Sequence, residues 1–122
     1  MEREYRLRMS ADFQRTRQLG KCWSHRLAVL CALRNDVGHS RFGFATSKRI
    51  GKAVVRNRVR RRMREVVRLR RPEIARGWDL VFIARPPIAG ATYVETASVV
   101  RGLLSRAGLW DAARVDVKRS VE

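Results

Sequence analysis

The sequence is short of acidic residues, cysteine and long apolar runs, and each shortage narrows the class of protein. Only 11 of its 122 residues are Asp or Glu, against 28 Lys and Arg, so the formal net charge is +17. No apolar run is long enough to cross a membrane, and no signal-peptide pattern is present. We therefore expect a cytoplasmic protein that does not associate with membranes.

The two cysteines, Cys22 and Cys31, suggest neither a disulfide nor a metal site. Nine residues apart along one extended strand, they would point to opposite faces and lie too far apart to bridge. Together with His25 and His39 they lack the paired spacing of a zinc site. We expect free thiols that pack inside the fold, and histidines at the surface or in polar contacts.

The acidic residues lack the arrangement that a nuclease acting alone would need. Such an enzyme uses clustered carboxylates for two metal ions, or a paired acid and base. Asp12, Asp79 and Glu95 suit structural positions instead: a first helical turn, a strand edge and a capping box. No phosphate-binding loop or nucleophile motif is present. The sequence favours a binding protein that holds no metal or cofactor of its own.

Positive charge is concentrated between Arg41 and Arg71, where 13 Lys and Arg residues stand against the single acid Glu65. Apolar residues recur there at helical spacing and predict a helix over Ala53–Arg70. Its buried face would consist of Val55, Val59, Met63 and Val66/Val67. The other faces are mostly arginine, whereas a merely solvated face mixes charge signs and a membrane-surface helix carries aromatic anchors. A nucleic acid is therefore the favoured partner.

Two further helices flank this basic segment. Ser10 is the expected N-cap of a helix over Ala11–Leu19. Thr92 and Glu95 form a capping box that opens a last helix, which stops at Gly108.

Three strands are predicted, at Arg26–Leu33, Arg41–Ser47 and Trp78–Ala84. The first two are joined by a polar turn and suggest an antiparallel hairpin, and the third should be central and buried. Phe42 and Phe44 partly resemble the exposed aromatics of RNA-recognition sheets, but they lack the following Val-x-aromatic pattern and are expected in the core.

The elements predict one α+β domain over residues 1–122, with helices packed on one small sheet. Residues 1–9 form a basic arm, residues 10–110 the folded core, and residues 111–122 a frayed tail. Trp110 is expected to dock back on the core.

The segment from Phe44 to Arg61, FATSKRIGKAVVRNRVRR, closely resembles the signature of the bacterial ribonuclease P protein subunit. That signature is a strand ending in S-K-[KR]-x-G-x-A-V, followed by an R-N-R-x-[KR]-R helix. The resemblance extends over about residues 5–110. It includes the Asp12-Phe13 pair and the D-L-V-F-I-A-R-P strand with its proline exit.

The resemblance implies an αβββαβα order, a four-stranded sheet and a left-handed βαβ crossover. It also implies a subunit that binds a large catalytic RNA and the 5′ leader of precursor tRNA, and so assists removal of the leader. The chain itself would be non-catalytic, because the RNA performs the chemistry with Mg²⁺. No obligatory protein partner is implied. The alternative is a general RNA-binding or ribosomal-type protein that uses the same helix.

The motif also implies which residues bind RNA. Those expected to face the catalytic RNA are Lys48, Arg49, Lys52, Arg56, Asn57, Arg58, Arg60 and Arg61. Phe13 occupies the position of an aromatic residue beside the leader cleft. Arg17 stands where many relatives carry a second aromatic, and Cys31 where an aromatic is common on the second strand. Arg17 would replace ring stacking by charge or guanidinium stacking.

Overall fold

Seven main elements follow one another in the expected order αβββαβα. The computed structural model describes residues 1–110, and the frayed tail expected at 111–122 lies outside them. The helices and strands are α1 Ser10–Leu19, β1 Lys21–Ser24, β2 Ala28–Arg34, β3 Arg41–Ala45, α2 Ala53–Arg70, β4 Trp78–Ala84 and α3 Tyr93–Arg106. The predicted bounds of α2 are confirmed.

The four strands form one mixed sheet in the order β1-β2-β4-β3. β4 pairs antiparallel with β2 and parallel with β3. The predicted hairpin between the second and third strands is therefore wrong, because β4 lies between β2 and β3. The predicted central place of β4 is confirmed, and its residues Asp79–Phe82 are all buried. The β3-α2-β4 segment is the expected crossover between parallel strands, and its left hand stays a prediction.

The cysteines form a disulfide, which corrects the expectation of free thiols on opposite faces. Residues 21–34 are not one strand: the chain turns between Ser24 and Ala28, where the His25 N–H donates to the Ala28 carbonyl over 2.8 Å. The resulting β1–β2 hairpin places Cys22 directly opposite Cys31, with their Cα atoms 4.1 Å apart. Cross-strand partners share a face, so the two sulfur atoms meet.

The main core lies on one face of the sheet, beneath α2 and α3. Val59, Met63, Val66 and Val67 of α2 are buried as predicted, whereas Val55 is only half-buried. Full burial of a side chain such as Met63 contributes about 1.5–3 kcal/mol. Phe42 is 1% exposed, and the half-buried Phe44 stacks on Phe82 with ring centroids 5.8 Å apart. Both phenylalanines are therefore core residues, as expected.

The opposite face of the sheet is covered by α1. Strand residues alternate between faces, so Gly43 points away from its core neighbour Phe42. A methyl group on Gly43 would lie 2.5 Å from Cζ of Phe13, so the ring of that α1 residue rests on the glycine. The sheet is thus sandwiched between α1 and the α2–α3 pair.

The helix ends match the predictions only in part. The N-cap of α1 is Met9, which makes no side-chain cap, so the assignment of Ser10 as the cap is wrong. The Thr92–Glu95 capping box of α3 is confirmed, with both reciprocal hydrogen bonds at 3.1 Å. Trp110 docks back as predicted, through a bridge to Ile74.

Candidate nucleic-acid interface

The signature segment occupies the edge of the fold where β3 ends and α2 begins. After β3 the chain makes a short 3₁₀ turn, Lys48–Ile50, in which only Ile50 is buried. Its apolar side chain holds the turn to the core, and Lys48 and Arg49 therefore extend into solvent. Gly51 follows with φ of +149°, a conformation that strongly favours glycine. Lys52, also exposed, is the N-cap of α2.

The N-terminus of α2 is itself suited to an anion. Lys52 offers no side-chain cap, and its carbonyl accepts the N–H groups of Val55 and Arg56. The N–H groups of Ala53 and Val54 lie in the first turn, where a helix has no internal acceptor for them. Such groups bind phosphate at helix N-termini, where the helix dipole also favours negative charge. The sequence analysis named only side chains as RNA-binding and missed these backbone donors. The predicted start of α2 at Ala53 was the signal that could have located them.

The polar side chains of α2 divide into three rows around the helix. Arg56, Arg60 and Arg64 follow one another at four-residue spacing on the side near β3, where Arg60 donates to Thr46 Oγ1 over 3.3 Å. Asn57 and Arg61 are exposed on the outer side, and Asn57 Oδ1 accepts a hydrogen bond from Arg60. All of these residues except Arg64 belong to the predicted RNA-binding set.

The third row, Arg58 and Arg62, forms hydrogen bonds with the loop after β4. Arg58 donates to the carbonyl of Ala89 over 3.1 Å, and Arg62 donates to that of Ala91 over 2.9 Å. Arg58 is half-buried, and its Nε has no hydrogen-bond partner within residues 1–110. The structure thus gives Arg58 an internal contact that the sequence did not indicate. Its contact with RNA stays a prediction.

A cleft of about 200 Å³ lies next to the near row of α2 arginines. Its walls come from the N-terminal arm, α1, β3 and α2. The lining residues are Arg6, Leu7, Arg8, Phe13, Phe42, Gly43, Phe44, Arg60 and Arg64. Phe13, predicted to contact the leader, therefore lies beside Arg60, predicted to contact the catalytic RNA.

Arg17 and Cys31 are placed differently from Phe13. Arg17 is exposed one helical turn further along α1 and does not line the cleft. Cys31 is buried in its disulfide, so this second-strand position offers no aromatic ring and no free thiol.

The cleft carries positive charge without a matching acid in its lining. Burial lowers the pKa of Arg64, and the positive charges of Arg6 and Arg60 lower it further. A lowered arginine pKa means that the charged form is disfavoured by its surroundings. A bound polyanion would reverse this, because each phosphate offsets the repulsion between neighbouring guanidinium groups.

A buried ion pair fixes α1 and β3 around this cleft. Asp79 on β4 is 1% exposed and accepts from Arg41 Nε and Nη2 over 2.8 and 2.7 Å, and from Asn35 over 2.9 Å. Arg15 of α1 reaches the same carboxylate at 3.5 Å. Burial alone would raise the pKa of Asp79, but the hydrogen bonds from Arg41 and Asn35 outweigh it and hold the pKa below its usual value. The sequence had placed Asp79 only at a strand edge.

The described residues carry neither a cluster of metal ligands nor a membrane-spanning helix. Within residues 1–110, no three His, Cys, Asp or Glu side chains come together as possible metal ligands. No helix in that range is both long and apolar enough to cross a bilayer.

Comparison with known proteins gives a consistent result. The family described as Ribonuclease P matches residues 1–108. The ribonuclease P protein component of Roseiflexus castenholzii is 48% identical over 114 residues, which cover 93% of each chain. That of Clostridium kluyveri is 40% identical over 108 residues, 87% of this chain and 96% of the relative.

Solved structures agree in fold. The RNase P protein of Staphylococcus aureus superimposes with a TM-score of 0.82 at 30% identity, covering 88% of this chain and 98% of that one. The RNase P protein of Thermotoga maritima gives a TM-score of 0.76 at 28% identity, over 83% and 96% of the two chains. The chain therefore belongs to the ribonuclease P protein family, the RNA-binding protein subunits of the holoenzyme that processes precursor tRNA.

Proposed function

We propose that this chain docks on the catalytic RNA of ribonuclease P through the start of α2 and holds the precursor-tRNA leader in the adjacent cleft. The observation that carries the proposal is the contiguity of the two surfaces. Arg56 and Arg60 belong to the signature, and Arg60 and Arg64, in the same row of α2, line the cleft beside Phe13. A protein bound there would contact both RNAs at once.

The docking surface combines side-chain charge with the start of a helix. Lys48, Arg49 and Lys52 surround the first turn of α2, and Arg56, Asn57, Arg60 and Arg61 continue along it. Arginine binds phosphate in a bidentate manner and also stacks on bases. Arg58 donates to Ala89 through Nη2, and its remaining N–H groups are proposed to bind the catalytic RNA.

The leader-binding surface is the cleft with Phe13. Single-stranded RNA exposes its bases, which stack on aromatic rings, while its phosphates bind basic side chains. Phe13 is half-buried, so part of its ring remains open to the cleft. Arg17, exposed one turn further on, is proposed to contact the leader as it leaves the cleft.

In this proposal the chain positions RNA and cuts nothing itself. The Mg²⁺ that the holoenzyme requires is assigned to the RNA, which performs the hydrolysis, and the chain itself needs no cofactor. The partners are the catalytic RNA and precursor tRNA, with no obligatory protein partner. The working compartment is the cytoplasm, where bacterial transcripts are processed.

The test is cleavage of precursor tRNA at low Mg²⁺, with the protein alone, the catalytic RNA alone, and both together. We expect cleavage at the mature 5′ end to be fast only when both are present. Cleavage by the protein alone would overturn the non-catalytic role. A protein that binds RNA but does not stimulate the catalytic RNA would support the general RNA-binding alternative.

A further inference from the structure

A second basic pocket lies at the other end of α2, away from the signature. We call it the far pocket, and its cavity measures about 340 Å³, within the range of small-molecule sites. Its lining residues are Tyr5, Gly38, His39, Ser40, Phe42, Arg71, Pro72, Ile74, Ala75 and Arg76. The set combines three aromatic or heteroaromatic rings, including the buried Phe42, with two guanidinium groups and no acid.

The rings and one guanidinium are held in a defined arrangement. The guanidinium carbon of Arg71 lies 3.7 Å from the ring centroid of Tyr5, and the rings of Tyr5 and His39 meet edge to face at 5.2 Å. His39 Nε2 donates to the carbonyl of Glu4 over 2.9 Å, which ties the N-terminal arm to the loop before β3. A stacked guanidinium keeps its in-plane N–H groups directed outward, where they can bind a phosphate.

Within residues 1–110, no carboxylate neutralises the charge of this pocket. The nearby Arg68 and Arg70 pair with Glu65 and Glu73. Arg71 and Arg76, in contrast, have no carboxylate within 4.0 Å in the described part of the chain. A pair of cations beside aromatic rings is an arrangement that can bind a nucleotide, with the phosphate on arginine and the base against a ring.

The far pocket and the basic residues at the start of α2 are too far apart for one nucleotide to reach both. α2 has 18 residues, and at 1.5 Å per residue it spans about 27 Å. Lys52 precedes the helix and Arg71 follows it, so the two basic sites stand at opposite ends of this rod.

We propose that the far pocket binds one nucleotide of a second RNA segment, with its phosphate on Arg71 and Arg76 and its base against the rings of Tyr5 and His39. The inference rests on the proposed function, since it takes the RNA from the same ribonucleoprotein. That RNA is either the catalytic RNA or the precursor tRNA.

The experiment is site-specific photocrosslinking in the assembled holoenzyme. p-Benzoylphenylalanine replaces Val37, which is 45% exposed and adjacent to the pocket residue Gly38. The matched control carries it at Val94, which is 75% exposed on α3. Irradiation with catalytic RNA alone, and then with precursor tRNA added, assigns the crosslink to one of the two RNAs. We expect one defined crosslinked nucleotide from position 37 and a weaker or scattered signal from position 94.

Substitutions then test the arginines. In the Val37-labelled protein, Arg71→Gln should reduce the crosslink about tenfold, the effect of losing one charge-assisted contact. Arg101→Gln on α3 removes the same charge and should leave it unchanged. If circular dichroism shows that Arg71→Gln does not fold, Arg76→Gln takes its place.

Two results would overturn the far-pocket proposal: a crosslink from position 37 no stronger than from position 94, or a full-strength crosslink in a folded arginine variant. Failure of the proposed function would look different. The unlabelled protein would then fail to stimulate cleavage by the catalytic RNA, before any irradiation.

Discussion

Arg58 and Arg61 are three residues apart on α2 and look equivalent in the sequence, but the structure gives them different surroundings. Arg58 is half-buried against the carbonyl of Ala89, and Arg61 is exposed. Charge and spacing predicted correctly that this helix is basic on its outer faces. They could not separate the two arginines, because the loop that accepts the Arg58 hydrogen bond lies some thirty residues further along the chain.

This difference predicts distinct effects of Arg61→Gln and Arg58→Gln. Arg61→Gln should weaken binding to the catalytic RNA and lower the slope of log K against log salt by somewhat under one, as for one lost phosphate contact. Arg58→Gln should also destabilise the free protein by about 1 kcal/mol, because the loop loses a hydrogen bond. Salt titrations and urea unfolding measure the two effects. Equal stability losses in both variants would contradict the assignment.

Phe13 both packs on Gly43 and borders the cleft. Phe13→Ala should weaken binding of leader-bearing precursor more than that of mature tRNA, by roughly 1–3 kcal/mol if the ring stacks on one base. Leu19→Ala, on the same helix at 70% exposure, is the control. Gly43→Ala should have a similar selective effect with the ring still present, since the new methyl group displaces it. Equal losses for precursor and mature tRNA would make Phe13 a purely structural residue.

At the scale of elements, the Asp79 network joins α1, β3 and β4 and makes stability depend on pH. The folded pKa of Asp79 lies below the unfolded value of about 3.9, so its contribution is complete above that value and is lost as pH falls through the folded pKa. Asp79→Asn should cost about 3 kcal/mol at pH 7, the low end for breaking a buried pair, because Arg41 keeps some contact with solvent.

Urea unfolding of both proteins between pH 7 and pH 3 tests this. The stability gap between wild type and Asp79→Asn should narrow below about pH 4, where the carboxylate of the unfolded wild-type chain binds a proton while that of the folded protein is still ionised. A gap that stays constant across this range would show that the charge of Asp79 contributes nothing.

The β1–β2 hairpin is closed by the Cys22–Cys31 disulfide. In the chain-entropy account, closing a loop of this size stabilises the folded state by about 2–3 kcal/mol. Dithiothreitol should therefore lower the free energy of unfolding by that amount. The Cys22→Ala/Cys31→Ala double variant is the control and should not respond to reductant. No response in the wild-type protein would contradict a stabilising disulfide.

The elements that the sequence predicted well are those with a strong local pattern. Four buried apolar positions of α2 and the reciprocal capping box of α3 each lie within a few turns of one helix. β1 was missed because it has four residues and no buried side chain. The predicted hairpin was wrong because β4 lies between β2 and β3. The free thiols were wrong for another reason: the chain turns between Ser24 and Ala28, so Cys22 and Cys31 lie on two paired strands.

At the scale of the whole molecule, a charge of +17 makes the free protein sensitive to salt. Like charges at four-residue spacing destabilise a helix by roughly 0.2–0.5 kcal/mol per pair, and α2 contains several such pairs. Raising NaCl from 0.05 to 0.5 M should therefore increase the free energy of unfolding by about 1 kcal/mol, as screening weakens the repulsion.

An Arg60→Gln/Arg64→Gln variant, which removes two of the crowded charges, serves as the comparison and should respond less. Urea unfolding at several salt concentrations provides the measurement. Stability that falls with salt would mean that attractive ion pairs dominate.

For the molecule as a whole, the sequence predicted the family, the order of elements and the position of the signature. What it could not predict is where distant segments meet. Ser40 Oγ donates to the Ala75 carbonyl, and Tyr5 lies beneath Arg71, so the far pocket exists only after the arm, the loop before β3 and the end of α2 come together.

The strand order also sets when the protein can fold during its synthesis. Among the strands within residues 1–110, β4 is translated last, yet it alone joins the β1–β2 hairpin to β3. Until residue 84 leaves the ribosome, β3 and the arginine-rich helix have no sheet to join, and the nascent chain exposes their apolar faces. Such non-local pairing is slow compared with local helix formation. The residues of the basic surface are therefore translated before β4, but they reach their folded arrangement only after β4 has been added.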